Sequence, residues 1–529
     1  MLFFGKGICK NAFILFLCSF FFLGIFSHGN ISGLTPKLAF ETHWTTNGKI
    51  ITDTNNTLWL YPRSISDGGG GAIITWTDKR DGADNDIYAQ RIDQNGNSLW
   101  EENGVLICGA INTQTFPAIV GDGKGGAIIT WQDMRNDNNM GDIYAQKINS
   151  SGQVQWTADG VEISTQTSYQ SVPKITSDKA GGAVIVWTDR RSGDYNLYAR
   201  RITSEGTAIW TSDGTAICTA TNYQGYQEII SDGTGGAIIA WEDSRTGTED
   251  IYIQRINGTG IVKWTTNGIP LCDAPGGQYD IDMVEDGTGG AYIAWDDHRS
   301  DNSIYTQHIT AEGLILLGTN GKEIYSTSAN LYAPSIVKDG NNGLILIWYD
   351  MRNGDDYDLF AQRIDSLGNK LWNTNGITIC EAVGKQSSQR IIKASEKGFL
   401  ITWDDEREGS SEEIDIYAQA ITLEGDILWG TKGKAICTAD QVQENPQIVP
   451  DNGNGAIIIW DDERQDGSYR DLYAQRIWHN PSVTENDEDN GDKTPDLAIS
   501  YGSVFMIFVL IGLTSTILIS LKRRYSVLS

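Results

Sequence analysis

The chain has 529 residues, and its 40 Lys and Arg against 68 Asp and Glu give a formal net charge of −28. A charge this negative argues against nucleic acid as a partner, because contact with a phosphate backbone requires a basic patch. With 59 Gly, 17 Trp and only 11 Pro, the composition excludes a disordered chain and is typical of many short strands joined by tight turns.

Residues 1–29 are interpreted as a signal peptide. Lys6 and Lys10 precede an apolar run at residues 12–26, which has the length of a signal-peptide core and is short for a transmembrane helix. Small residues at the −3 and −1 positions indicate cleavage before Asn30. The prediction is therefore secretion, and the alternative is an uncleaved membrane anchor.

Residues 38–478 contain a W-x-D-x-R motif that recurs eight times at a spacing of about 55 residues. Chance does not place three residue types at fixed offsets eight times, so the chain is built from repeats. The motif residues are Trp76, Asp78, Arg80, Trp131, Asp133, Arg135, Trp187, Asp189, Arg191, Trp241, Asp243, Arg245, Trp295, Asp297, Arg299, Trp348, Asp350, Arg352, Trp403, Asp405, Arg407, Trp460, Asp462 and Arg464.

Each repeat predicts four strands. A short first strand and a Gly-rich turn lead into a second strand that is almost continuously apolar, as at residues 127–131, and therefore suits a strand covered on both faces. The third strand has the form DIYAQRI, as at residues 86–92, and the fourth is predicted around Leu99 and Trp100. Such units cannot bury both faces alone, so the predicted fold is an all-β, eight-bladed β-propeller of four-stranded antiparallel blades.

The two ends of the array predict a closed ring. The last repeat stops after its third strand at residues 471–477, while residues 44–48 (WTTNG) match the fourth-strand segment at residues 264–268. The N-terminal strand is therefore predicted to complete the last blade, which places Trp44 close to Tyr473 and leaves no free sheet edge.

Over residues 40–478 the repeats resemble the WxDxR…DIYAQRI β-propeller repeats of secreted and surface proteins of bacteria and archaea. Their blades are similar in organisation, though not in sequence motif, to WD40 and kelch blades. The resemblance implies a propeller fold and at most a general role in binding, and it brings no catalytic residues.

The repeated motif is interpreted as structural, because a catalytic site is normally one asymmetric constellation. Asp and Arg are expected to bond to the turn backbone and to each other, while Trp packs between blades. No catalytic residue is assigned.

Ligand binding is instead expected in the loops between the second and third strands, which vary in length and are acidic. No loop matches a complete Ca²⁺-binding pattern, so no metal or cofactor is assigned, and Ca²⁺ is the alternative left open. The candidate binding residues are Asp84, Asp86, Asp137, Asp142, Asp355, Asp356 and Asp358.

The fifth repeat departs most from the pattern. Leu317 stands where other repeats have a fourth-strand Trp, and His298 and His308 are two of only five histidines. No acidic partner or nucleophile lies near them in a recognisable motif, so both are interpreted as ordinary strand and turn residues. An enzyme would require them to meet with carboxylates in one cleft.

Cysteine and asparagine side chains add two further expectations. A cysteine recurs eight residues after a Trp in five repeats, which indicates a buried apolar filler and not a disulfide framework. These cysteines are Cys108, Cys218, Cys272, Cys380 and Cys437. The N-x-[ST] glycosylation candidates are Asn30, Asn55, Asn149 and Asn257.

The C-terminal part predicts a membrane anchor. Residues 479–496 form an acidic stalk, and residues 497–521 are an uncharged apolar stretch long enough to cross a bilayer as one helix. The tail, residues 522–529, begins with Lys522, Arg523 and Arg524 and is expected in the cytoplasm.

The sequence therefore predicts a single-pass protein of the cell membrane whose propeller lies outside the cell and acts as a binding or surface-interaction module for a protein or a glycan. One alternative is a hydrolase or lyase that acts on polysaccharide at a single site at the channel mouth. The other is a structural component of the cell envelope.

Overall fold

The computed structural model describes residues 40–479, except residues 54–59, 81, 83, 137–139, 355, 397, 409–412 and 466–468. These residues form an eight-bladed β-propeller of four-stranded antiparallel sheets, as predicted. The predicted signal peptide, transmembrane helix and tail lie outside the described residues, as does all of the predicted stalk except His479. Within the described part of the chain there is no helix with the length and hydropathy to span a membrane.

The strands of each blade follow one another from the channel outward, and we refer to them as the inner, second, third and outer strands. The outer position is split into two short strands in blades 3 and 8. Blade 1 consists of Arg63–Ser66, Ala72–Asp78, Asp86–Ile92 and Val105–Cys108, and blade 2 of Gln114–Gly121, Ala127–Asp133, Asp142–Ile148 and Val161–Ser164. Blade 3 consists of Gln170–Ser177, Ala183–Asp189, Asn196–Ile202, Ala208–Ile209 and Thr215–Cys218, and blade 4 of Gln224–Ser231, Ala237–Asp243, Asp250–Ile256 and Ile269–Cys272. Blade 5 consists of Gln278–Glu285, Ala291–Asp297, Asn302–Ile309 and Lys322–Thr327, and blade 6 of Leu331–Lys338, Leu344–Asp350, Asp358–Ile364 and Ile377–Cys380. Blade 7 consists of Gln386–Lys393, Gly398–Asp405, Asp415–Thr422 and Lys434–Cys437. Blade 8 consists of Gln443–Pro450, Ala456–Asp462 and Asp471–His479, together with the N-terminal strands Lys49–Thr52 and Phe40–Thr42.

The hydrophobic core lies between adjacent blades. Every residue of the second strand of blade 2, Ala127–Asp133, is buried, because blade 1 covers one face and blade 3 the other. The eight motif Trp side chains are the largest fully buried side chains among the described residues. Burial of one large apolar side chain contributes roughly 1.5–3 kcal/mol, so a blade gains its stability from both neighbours.

The outer strand of blade 1 does not lie where it was predicted, whereas in blade 3 a short strand, Ala208–Ile209, does lie at the corresponding position before Trp210. In blade 1 it is Val105–Cys108, and the segment around Trp100 makes only an isolated bridge, from Ser98 to Ile92. The Trp100 Nε1–H donates to the backbone oxygen of Ser150 in blade 2 at 3.1 Å. The segment leaves the ladder because its indole reaches across to the neighbouring blade.

The five described cysteines are free and buried, but they are not simply apolar fillers. Each belongs to an outer strand and lies beneath the motif arginine of the next blade, as the Cys108 sulfur does at 3.1 Å from Nη2 of Arg135. Burial raises the pKa of Cys218 to about 12, so this thiol stays protonated at neutral pH.

The N-terminal segment closes the ring. The strand Lys49–Thr52 pairs with the third strand of blade 8, where Ile50 is opposite Tyr473. The backbone N–H of Trp44 donates to Oε1 of Gln475 at 2.9 Å. The predicted closure of blade 8 by the N-terminal strand is therefore present, and both termini of the propeller share one sheet.

The two ends of the propeller differ in the chain segments that they carry. In blade 2, Gln114 at the start of the inner strand is opposite Asp133 at the end of the second strand. The W-x-D-x-R motifs and the loops that follow them therefore lie at one end, which we call the motif face. The Gly-rich turns lie at the opposite face. Inner strands of neighbouring blades approach one another around the whole ring, including blades 8 and 1, and line the axial channel.

Candidate ligand site at the channel mouth

The polar groups of the W-x-D-x-R motif bind one another. In blade 2, Oδ2 of Asp133 accepts the indole N–H of Trp131 at 2.8 Å, and Oδ1 accepts the backbone N–H and Nε–H of Arg135 at 2.9 Å each. The guanidinium also stacks over the ring of Tyr144, 3.9 Å from its centroid. The Trp–Asp and Asp–Arg bonds recur in all eight blades, so the motif braces each blade end.

The acidic loop candidates do not form a common cluster. Asp86, Asp142 and Asp358 each begin a third strand and are buried. Oδ2 of Asp142 accepts from Nδ2 of Asn136 at 2.7 Å, and burial raises the pKa of Asp142 to about 6.

Of the remaining loop candidates, Asp356 accepts the backbone N–H of Gly384 at 3.1 Å, and Asp84 is half-buried. Asp137 and Asp355 lie outside the described residues. Among the described residues no group of three or more His, Cys, Asp or Glu is arranged to hold a metal ion.

The described glycosylation candidates lie at the opposite face, in turns between third and outer strands. Oδ1 of Asn149 accepts the backbone N–H of Ser151 at 2.9 Å, and Asn257 accepts that of Thr259 at 3.1 Å. Asn30 and Asn55 lie outside the described residues.

The two histidines of blade 5 do not meet. His308 lies toward the opposite face, where its Nε2 is 3.1 Å from Asp286 and takes the place of an arginine found in other blades. His298 lies at the motif face with its Nε2 3.8 Å from Oδ2 of Asp296. Each histidine therefore has an acidic partner that was not recognised in the sequence. Asp296 is the middle residue of W-x-D, a position that the motif leaves variable.

Strained residues surround the channel mouth, one within each inner strand of blades 2 to 8 and one just before the inner strand of blade 1. In every blade one non-glycine residue at the same position has a positive φ, between 48° and 58°, and in blades 2 to 8 it falls where the ladder register shifts. Such a conformation costs about 1–2 kcal/mol per residue, and bulges of this kind redirect side chains near binding sites. We call these residues the bulge ring: Tyr61, Phe116, Val172, Tyr226, Asp280, Ala333, Ser388 and Asn445.

The bulge ring changes chemistry around its circumference. Blades 1 to 4 contribute large apolar side chains, of which Tyr226 is 67% exposed, whereas blades 5 to 8 contribute small or polar ones. Tyr226 contacts Tyr223, with ring centroids 6.0 Å apart. Tyr195 and Tyr169 extend this contact along blade 3, at centroid distances of 5.4 Å and 6.4 Å. These four tyrosines form a continuous aromatic strip from the loops to the mouth.

Acidic side chains lie next to the bulge ring in blades 4, 5, 7 and 8. They occupy the middle position of W-x-D and are Glu242, Asp296, Asp404 and Asp461. Oε1 of Glu242 accepts the backbone N–H of Asp280, the bulge residue of the next blade, at 3.0 Å.

Burial raises the pKa of all four carboxyl groups above the ordinary value. Burial raises the pKa of Glu242 to about 8 and that of both Asp404 and Asp461 to about 7. The nearby charges of Asp280 and Asp296 add to the rise at Glu242. Carboxyl groups with perturbed pKa values at one rim make this mouth the candidate site, because such groups cluster at functional sites.

Two cavities occupy the channel at this mouth. The larger, of about 530 Å³, is lined by blades 4 to 7 and includes Asp280, Asp282, Tyr349 and Arg390. The second, of about 380 Å³, is lined by blades 1, 7 and 8 and includes Arg63 and again Arg390. Each cavity draws residues from blades that are not adjacent, so both lie in the axial channel.

Neither a family model nor a curated protein matches the sequence. Among solved structures, the chain is similar to an ulvan lyase from a new polysaccharide lyase family, with a TM-score of 0.44 and 10% identity over 67% of this chain and 90% of that one. It is also similar to a second polysaccharide lyase (TM-score 0.40, 11% identity, 86% and 94% covered) and to an acylaminoacyl peptidase (TM-score 0.38, 10% identity, 77% and 58% covered). Likeness at this level carries no argument about what this chain does.

The raised pKa of Glu242 predicts a specific pH dependence of stability. Folded Glu242 keeps a proton up to about pH 8, whereas the unfolded chain releases it above about pH 4.3. The side chain therefore destabilises the fold increasingly as pH rises through this window. Glu242→Gln should make the protein more stable than wild type at about pH 8 and change it little at about pH 4.5.

Urea unfolding at both pH values measures this difference, with exposed Glu312→Gln as the control. If the difference in stability between wild type and Glu242→Gln is the same at both pH values, the raised pKa of Glu242 is wrong.

Proposed function

We propose that the protein is an extracellular binding module that takes a glycan at the channel mouth of the motif face. The observation that carries the proposal is that departures from the eightfold pattern gather at this mouth. Aromatic and ionisable side chains there differ from blade to blade, whereas the motif residues are identical and bound to one another. The predicted signal peptide and C-terminal membrane helix support display outside the cell.

The chemistry of the mouth suits a sugar chain. The aromatic strip ends at Tyr226, whose exposed ring offers a flat apolar face against which the apolar face of a sugar ring packs. Carboxyl and amide groups of Asp280, Asn445 and their neighbours supply directional partners for hydroxyl groups. The cavities at the mouth, of about 380 and 530 Å³, lie within the size range typical of ligand pockets.

A glycan array followed by calorimetry with the full-length chain tests the proposal. Tyr226→Ala should weaken binding of an array hit by tenfold or more, since loss of about 1.4 kcal/mol changes Kd tenfold. Leu314→Ala is the control, because Leu314 is 62% exposed in a turn of the opposite face. No glycan signal, or equal loss in both variants, would contradict a glycan site at the mouth.

A polysaccharide-acting enzyme at the same mouth is the second candidate, and one arrangement favours it. Asp296 raises the pKa of His298, and the His298 ring lies 5.4 Å from that of Tyr279. The Tyr279 hydroxyl donates to Glu249 at 3.1 Å. The imidazole of His298 and the protonated carboxyl group of Glu242 supply groups that can accept and donate protons near neutral pH.

Product analysis separates the two candidates. If the protein is an enzyme, incubation of a bound polysaccharide with the full-length chain yields new reducing ends or unsaturated ends, and His298→Gln abolishes the products while binding persists. If it is a binding module, no product forms with either chain.

A further inference from the structure

Two arginines of the channel are not paired with carboxylates. Arg63 begins the inner strand of blade 1, and Arg390 lies in the inner strand of blade 7. Both side chains are exposed to the channel and line the 380 Å³ cavity, with the inner strand of blade 8 between them. Arg390 also lines the larger cavity.

Most of their hydrogen-bond donors point to no protein acceptor. Nη1 of Arg63 donates to the backbone oxygen of Pro62 at 2.9 Å, and Nη1 of Arg390 donates to that of Gln389 at 3.1 Å. Within the part of the chain that the structure describes, neither guanidinium has another hydrogen bond or an ion pair. By contrast, each motif arginine is bound to its own Asp, as Arg135 is at 2.6 Å from Asp133. A guanidinium has five N–H donors, so several remain at each site.

Three acidic residues that line the two cavities have cationic partners of their own. Nζ of Lys174 lies 2.5 Å from Oε1 of Glu228, and Arg470 is paired with both Glu444 and Asp461. Asp404 and Asp461 have pKa values of about 7 and are only partly ionised at neutral pH.

The two guanidinium groups also act on each other. Water reaches the Arg63 side chain in the channel, but the surrounding protein partly desolvates the guanidinium, and this effect, followed by the charge of Arg390, lowers the pKa of Arg63. Two like charges therefore share one cavity. The charges of Glu228 and Asp461 offset part of this cost, and an anion in the cavity would offset more of it.

We propose that Arg63 and Arg390 form an oxyanion subsite that takes the carboxylate or sulfate group of an acidic glycan. This inference rests on the proposed glycan site and specifies the class of glycan. The planar guanidinium binds the oxygens of both groups in a bidentate manner. Tyr61 and Asn445 line the same cavity, so the ring that bears the charged group has an aromatic and an amide neighbour.

Calorimetry with the full-length chain tests the subsite against three probes of equal length: a neutral oligosaccharide, an oligouronate and a sulfated oligosaccharide. At least one acidic probe should bind tenfold or more tightly than the neutral one, and this preference should fall as NaCl is raised. The two acidic probes distinguish carboxylate from sulfate as the group that is bound.

Arg63→Gln and Arg390→Gln should each abolish the preference, because binding of the acidic probe should fall to the level of the neutral probe measured with the same variant. Arg390→Lys keeps the charge but not the bidentate geometry, and should retain part of the preference. Lys124→Gln, on an exposed turn of the opposite face, is the matched control for removal of one positive charge. Thermal unfolding of each variant should match or exceed wild type, because removal of one guanidinium relieves the repulsion.

The outcomes separate this inference from the proposed function. If all probes bind equally, or if the Gln variants keep the preference, the oxyanion subsite is wrong while the glycan site stands. If no probe binds, the glycan site is wrong, and titration with inorganic sulfate decides the subsite. Sulfate binding that Arg63→Gln and Arg390→Gln remove would support it, and absence of such binding would overturn it.

Discussion

Asp189→Ala should lower the free energy of unfolding by about 3–5 kcal/mol, the cost of removing one partner of a buried ion pair. Asp189 is fully buried and accepts the indole N–H of Trp187 at 3.0 Å. It also accepts the backbone N–H and Nε–H of Arg191 at 2.8 and 2.9 Å. The substitution therefore leaves both a buried indole N–H and a mostly buried guanidinium without their acceptor. Urea unfolding followed by tryptophan fluorescence measures the loss.

Asp194→Ala is the control for this experiment. Asp194 lies in the exposed loop that follows Arg191, so its removal should change stability by less than about 0.5 kcal/mol. A loss at Asp189 no greater than that at Asp194 would show that the motif network does not brace the blade. The same test applies in any blade, because the Trp–Asp and Asp–Arg bonds recur in all eight.

Gly48→Ala should weaken the closure of the ring. Gly48 has a φ of +81°, and a Cβ added to it would lie 2.5 Å from Cη2 of Trp460 and 2.7 Å from the backbone oxygen of Ala474. The left-handed backbone costs about 1–2 kcal/mol for a residue with a side chain, and overpacking costs a further 1–3 kcal/mol. We expect a loss of about 2–5 kcal/mol in the free energy of unfolding and faster proteolysis of the N-terminal strand.

Gly68→Ala separates the two causes. Gly68 has a nearly equal φ of +77°, but a Cβ added to it would have no atom within 4 Å. This variant should therefore show only the backbone cost of about 1–2 kcal/mol and no change in proteolysis. Equal losses in the two variants would mean that Trp460 does not hold the N-terminal strand in place.

The fold was largely predictable because the sequence motif that specifies each blade recurs at a regular spacing. The spacing of W-x-D-x-R defines the number of blades, and the missing fourth strand of the last repeat indicates which strand closes the ring. The position of the outer strand in blade 1 was predicted wrongly, since Trp100 is as apolar as a strand residue but its indole N–H donates to Ser150 of the next blade. A contact between two repeats cannot be predicted from the sequence pattern within one repeat.

The candidate site was predictable only in part. An alignment of the repeats shows that Glu242 and Asp296 replace Thr or Gln of other blades, but it does not show that these positions face one mouth. Histidine is rare in this sequence and two occur in blade 5, yet His298 and His308 lie toward different faces of the propeller. Their separation follows from where each strand runs between the two faces.

The repeated residues were sufficient to determine an eight-bladed ring and its closure, because burial between blades acts in the same way at every repeat. What the chain presents to a ligand was decided only by tertiary structure. The left-handed residue in or just before each inner strand and the curvature of the ring bring side chains of non-adjacent blades together at one mouth, among them Arg63 and Arg390. Residues more than 300 positions apart in the chain meet there, and no local pattern records such a distance.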